Sequence, residues 1–100
     1  MQTKHTILLI QHTRNRNSRT YVDFPSVSEA INSIIAMYET ELKKHNPLVV
    51  NISYTVDDIV NWVNTLGDVI ALVWEPDHQA YLPHDRVWVA RYIRRFCNRM

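Results

Sequence analysis

A chain of 100 residues, 46% of them hydrophobic and including three Trp, five Tyr and two Phe, is one domain's worth of sequence with enough apolar side chains for a packed core. Disordered and fibrous classes are excluded by that composition. The formal net charge of +1 hides a segregation, because residues 1–22 are basic without an acid, residues 23–85 hold all ten acids, and residues 86–100 carry five arginines. No apolar run approaches the roughly 20 residues of a membrane span, and Met1 to Thr6 lacks the apolar core of a secretory signal. A single cysteine, Cys97, cannot close an internal disulfide. A nuclear or cytoplasmic protein is expected.

In chain order, Thr6 to Gln11 reads as a strand with Ile7 and Leu9 on one face and Leu8 and Ile10 on the other. Half-buried antiparallel strands alternate apolar with polar, and this one does not. A polar, Arg-rich loop from His12 to Ser18 leads to a second strand, Arg19 to Phe24, ended by Pro25. Ser26 and Glu29 have capping-box spacing, and Val27, Ala30, Ile31, Ile34, Ile35, Tyr38 and Leu42 recur with helical period up to His45-Asn46-Pro47. Residues 48–54 fit either a loop or a short extended segment. Thr55 caps a second helix with a buried stripe of Val56, Ile59, Val60, Val63 and Leu66, and Gly67 is placed as its C-terminal stop. Val69 to Trp74 is a second strand with apolar residues on both faces, turned by Glu75-Pro76-Asp77-His78 into a fourth strand, Gln79 to Leu82. Asp85 caps a third helix with Val89, Tyr92, Ile93 and Phe96 inward and Arg91, Arg94, Arg95 and Arg99 outward.

The predicted order is β-β-α-α-β-β-α, an α+β fold in which two hairpins make one four-stranded antiparallel sheet and three amphipathic helices cover one face. The other face is bare. With Ile7 and Leu9 or Val69 and Val73 pointing that way, it forms an apolar patch of a size that soluble monomers rarely expose, and symmetric self-association covers it most economically.

Catalytic constellations are absent from the pattern, and no enzyme is expected. One glycine cannot build a phosphate-cradling loop, and His5, His12, His45, His78 and His84 lack metal-ligand spacing, so neither cofactor nor metal is expected. Direct nucleic-acid binding is the rival to protein binding. The arginines of the third helix, with Arg14, Arg16 and Arg19 in the loop, could contact phosphates, but no interleaved aromatic platform is evident along the sequence. Thr20 and Ser26 each precede an acid by three residues, the pattern of acid-directed phosphorylation.

His5-Thr6-Ile7-Leu8-Leu9-Ile10-Gln11, Arg19-Thr20-Tyr21-Val22-Asp23-Phe24, Met37-Tyr38-Glu39, Asn46-Pro47, Ile52-Ser53-Tyr54, Leu72-Val73-Trp74 and Tyr81-Leu82-Pro83 through Trp88 together resemble the enhancer of rudimentary homolog family. The likeness runs from about His5 to Arg95 and treats residues 1–100 as one domain. It implies a homodimer through the open sheet face with Ile7 and Leu9 in the contact, and a scaffold without catalytic activity that binds peptide segments of RNA-processing and small-RNA-biogenesis factors. It also implies that Thr20 and Ser26 fall where the family has proposed phosphorylation sites. Typical members carry Phe and a run of acids in helix two, where this chain has Val60 and Asn61-Trp62-Val63-Asn64-Thr65, so the resemblance is to a diverged member or paralogue.

Overall fold

The computed structural model describes residues 4–98, with the Asn98 side chain left aside. Its elements are β1 (Thr6–Gln11), β2 (Arg19–Phe24), α1 (Val27–His45), α2 (Val56–Thr65), β3 (Asp68–Glu75), β4 (Ala80–His84) and α3 (Arg86–Asn98). All strand pairs are antiparallel, and the sheet order is β2-β1-β3-β4. β1 therefore sits in the middle, flanked by strands from both hairpins. Residues 48–54 form neither helix nor strand.

The helices cover one face of this sheet. Leu8 and Ile10 of β1 and Val69, Ala71 and Val73 of β3 form one buried cluster with Ile31, Ile34 and Ile35 of α1, Ile59, Val60 and Val63 of α2, and Val89 and Ile93 of α3. Because strand side chains alternate, Ile7 and Leu9 fall on the opposite face, and so do Ile70, Leu72 and Trp74. Val69 and Val73, the alternative outward pair, are core residues. An unbroken apolar run has no polar phase to mark its outer side, so only the position of the helices decides which valines are covered.

Helix ends follow the capping chemistry. Ser26 Oγ accepts the Glu29 amide at 3.2 Å, and Thr55 and Asp58 form a reciprocal capping box with bonds of 3.3 and 2.9 Å. Ser26→Ala is expected to lower stability by about 1 kcal/mol, read as a shift in the urea midpoint, while Ser26→Asp retains most of the cap. α2 ends differently from its sequence pattern. Leu66 is its C-cap in extended conformation, and Gly67 has no positive φ. The glycine is needed for space instead, since a Cβ there would lie 2.1 Å from the Thr13 carbonyl oxygen. Of the carbonyls at the end of α2, that of Asn64 accepts from the Arg86 guanidinium at 3.1 Å, which also donates to the Gly67 carbonyl just beyond the helix at 3.3 Å.

The β3–β4 turn is closed by His78 N–H to Glu75 C=O at 3.1 Å, with Pro76 in the second position. Gln79 adopts φ 49°, so β4 begins one residue later than its pattern suggests and continues through Pro83 to His84. Proline is admissible there because β4 is an edge strand.

Candidate interaction surface

The open face is built by register. One row across the sheet is Tyr21–Leu9–Ile70, and the next is Asp23–Ile7–Leu72–Pro83. A third places Trp74 beside Tyr81, whose rings meet edge-on at 5.1 Å. Ile7, Leu9, Ile70 and Leu72 thus form an apolar centre on the two inner strands. Leu9 is only 8% exposed, shielded by its neighbours in the row, whereas Tyr21 on the edge strand is 61% exposed.

Polar groups close both ends of that centre. At one end His5 bridges two strands, Nδ1 at 2.8 Å from the Tyr81 hydroxyl and Nε2 at 3.1 Å from Asp23 Oδ2. At the other, Arg19 donates from Nε and Nη2 to Gln11 Oε1 at 3.1 and 2.8 Å, and Gln11 Nε2 donates to the Thr13 carbonyl at 2.8 Å. An apolar centre with a hydrogen-bonded rim is the anatomy of a protein interface.

The helix side has its own features. A recess of about 300 Å³ is lined by Ile35 and Glu39 of α1, Val56 and Ile59 of α2, Tyr54 and Cys97. Burial first, and then the bond its hydroxyl donates to Glu39 Oε1 at 2.9 Å, push the Tyr54 phenol up to about 12. Burial likewise raises Tyr38, with the Asp58 charge adding to it. A raised phenol pKa means that the fold favours the neutral form. Its stabilisation is complete below the ordinary value of 10.0 and is lost as pH rises from there to about 12. Tyr54→Phe is expected to lose less stability than the native chain across that window, as urea unfolding on either side of it would show.

The residues singled out in the sequence do not form one cluster. Ile7 and Leu9 lie at the centre of the open face. Thr20 is exposed on edge strand β2, its hydroxyl donating to the Ile10 carbonyl at 3.3 Å, and Ser26 is engaged as the α1 cap. Of the outward arginines, Arg94 is paired with Asp57 at 2.6 Å, while Arg91 and Arg95 are exposed beside the aromatic rings of α3. Arg99 lies outside the described residues. Sequence reasoning missed Ile70, Leu72, Trp74 and Tyr81 as open-face residues. The signal for the first three was the alternate phase of β3, readable only with the register to β1, and Tyr81 follows from its pairing with Trp74.

The comparisons with known proteins agree with one another. The enhancer of rudimentary family model matches residues 2–99. An enhancer of rudimentary homolog of Arabidopsis thaliana is 38% identical over 100 residues, covering 96% of this chain and 92% of that protein. One from Dictyostelium discoideum is 38% identical over 89% of each chain. Protein enhancer of rudimentary of Drosophila virilis is 34% identical over 89% of this chain and 86% of its own. By the extent of the family match and by its identity to these relatives, the chain belongs to the enhancer of rudimentary family.

Proposed function

We propose that the protein is a non-enzymatic homodimeric adaptor, two copies joined through their open sheet faces, that holds peptide segments of RNA-processing or small-RNA-biogenesis factors. The observation that carries the reading is the apolar centre of Ile7, Leu9, Ile70 and Leu72 on the face opposite the helices. A second copy is the economical cover, because a twofold axis through the patch matches apolar centre to apolar centre and rim to rim. Pairing in this way leaves the helix side of each copy in solvent, so each partner-binding surface is presented twice. A factor bound by one surface is then brought beside a second copy of itself at raised effective concentration.

The RNA-processing partners, and the nuclear or cytoplasmic setting that they require, rest on the family resemblance. Phosphorylation at Thr20 and Ser26 belongs to the same proposal. A phosphate on Ser26 would sit at the N-terminus of α1, where the helix dipole tolerates it, but beside Glu29, which opposes it. Affinity capture after nuclease treatment tests the function. Partners that persist, and that are lost from a chain carrying Ile7→Arg with Leu9→Arg, are expected; partners that vanish with nuclease contradict the adaptor reading.

A further inference from the structure

At the junction of β4 and α3 three aromatic rings form a ladder at four-residue steps. His84 stacks on Trp88 with centroids 4.2 Å apart and planes 19° apart, and Trp88 meets Tyr92 at 4.8 Å and 39°. The Arg95 guanidinium then lies 5.7 Å from the Tyr92 centroid. All three rings are half-buried, so each keeps part of its surface in solvent. At the foot of the ladder is a recess of about 450 Å³ lined by Ile70, Pro83, His84, Asp85 and Trp88, within the range of about 300–1,000 Å³ typical of small-molecule sites. A smaller one, about 90 Å³, lies between Trp88, Arg91, Tyr92 and Arg95.

The charges beside this ladder sort by use. Arg86 is spent on the carbonyls of Asn64 and Gly67, and Arg94 on Asp57. Arg91 and Arg95, one helical turn apart on the ladder's flank, have no carboxylate partner among the described residues. No acid occurs from Arg86 to the end of the chain. The one carboxylate at the foot, Asp85, is occupied in capping α3, its Oδ1 accepting the Trp88 amide at 3.1 Å. The surface therefore joins the partly exposed edges and faces of three rings to two cations without a carboxylate partner among the described residues.

We propose that this strip of α3 is a binding site for single-stranded nucleic acid, with bases against His84, Trp88 and Tyr92 and phosphates at Arg91 and Arg95. A duplex offers the phosphates but hides the base faces. An acidic peptide would satisfy the arginines and leave the rings unused. Single strands supply both, which is how stacking platforms work without reading sequence. The foot of the strip shares Ile70 and Pro83 with the open face and would border a paired copy, whereas Arg91, Tyr92 and Arg95 stand on α3 away from that face.

Fluorescence anisotropy of the full chain with short labelled single-stranded RNA and DNA, the matching duplex and polyglutamate tests it. Single strands of either sugar are expected to bind, with a log–log salt slope near −1.4, about −0.7 for each of two phosphates. Arg91→Glu with Arg95→Glu, both on the surface, should weaken binding at least tenfold. Trp88→Leu should weaken it about fivefold or more, the low end for loss of one stacked base. Three results would overturn the site: no single-strand binding at low salt, duplex or polyglutamate bound as tightly, or affinity lost through Arg14→Glu with Arg16→Glu and unchanged by the α3 pair.

Discussion

On the proposed pairing, Ile7→Arg combined with Leu9→Arg should leave the protein a folded monomer or an insoluble chain. Both positions lie in the apolar centre, so two guanidinium groups per copy would be driven into a surface whose only carboxylates by register, Asp23 and Asp68, stand at its rim. Leaving a charge uncompensated in a buried contact costs roughly 3–5 kcal/mol, and a twofold interface contains every substitution twice. At 1.4 kcal/mol for each factor of ten, the dissociation constant should rise by at least about ten-thousandfold. Ile7→Arg alone is a useful companion, because Ile7 is the less buried of the two and its replacement strains the monomer less. Light scattering reads the mass and far-ultraviolet circular dichroism the fold; a stable dimer in the double variant would sink the interface assignment.

The second large effect is expected at Gly67. Elsewhere, glycine to alanine in a backbone conformation open to both stabilises by about 0.4–1 kcal/mol through the unfolded chain, and Gly67 has no positive φ to forbid it. Here the added methyl would lie 2.1 Å from the Thr13 carbonyl oxygen, 2.8 Å from its carbon and 3.0 Å from Gln11 Nε2. Overpacking of that kind costs typically about 1–3 kcal/mol. The β1–β2 loop must move away, and with it the Gln11 bond to Thr13 and the Arg19 bonds to Gln11. Gly67→Ala should therefore lower the urea midpoint and loosen one end of the open face's polar rim. An alanine variant as stable as the native chain would show that the loop yields without cost.

Local chemistry was readable in the sequence, and long-range geometry was not. The capping residues Ser26, Thr55 and Asp85, the helix stripes and the order of strands follow from spacing within a few residues. The two-sided character of β1 was equally visible. The face assignment of β3 was not, because Val69 to Trp74 is apolar at every position and its phase depends on where α1, α2 and α3 cross the sheet. The steric role of Gly67 was hidden for a related reason. Its partner Thr13 is distant in sequence, so its placement after a helix suggested only a C-terminal stop, and the requirement for clearance was not visible. The ladder of His84, Trp88 and Tyr92 was hidden because it spans the end of a strand and the start of a helix, and because the stripe pattern placed Tyr92 wholly inward. Arg94 looked like one of four equivalent arginines until its contact with Asp57 separated it from Arg91 and Arg95.

These corrections sharpen the proposed interface. Ile7 and Leu9 contribute one strand of the apolar centre, and Ile70 and Leu72 contribute the other. Isotope-filtered nuclear Overhauser spectroscopy on an equal mixture of methyl-labelled and unlabelled chains tests that centre most directly, since it detects only contacts between copies. Intermolecular contacts at the methyls of Ile7, Leu9, Ile70 and Leu72, with none at the core residues Ile34 and Ile93, are the predicted result. Their absence, or contacts confined to the exposed Leu48 and Val50, would contradict pairing through the open face.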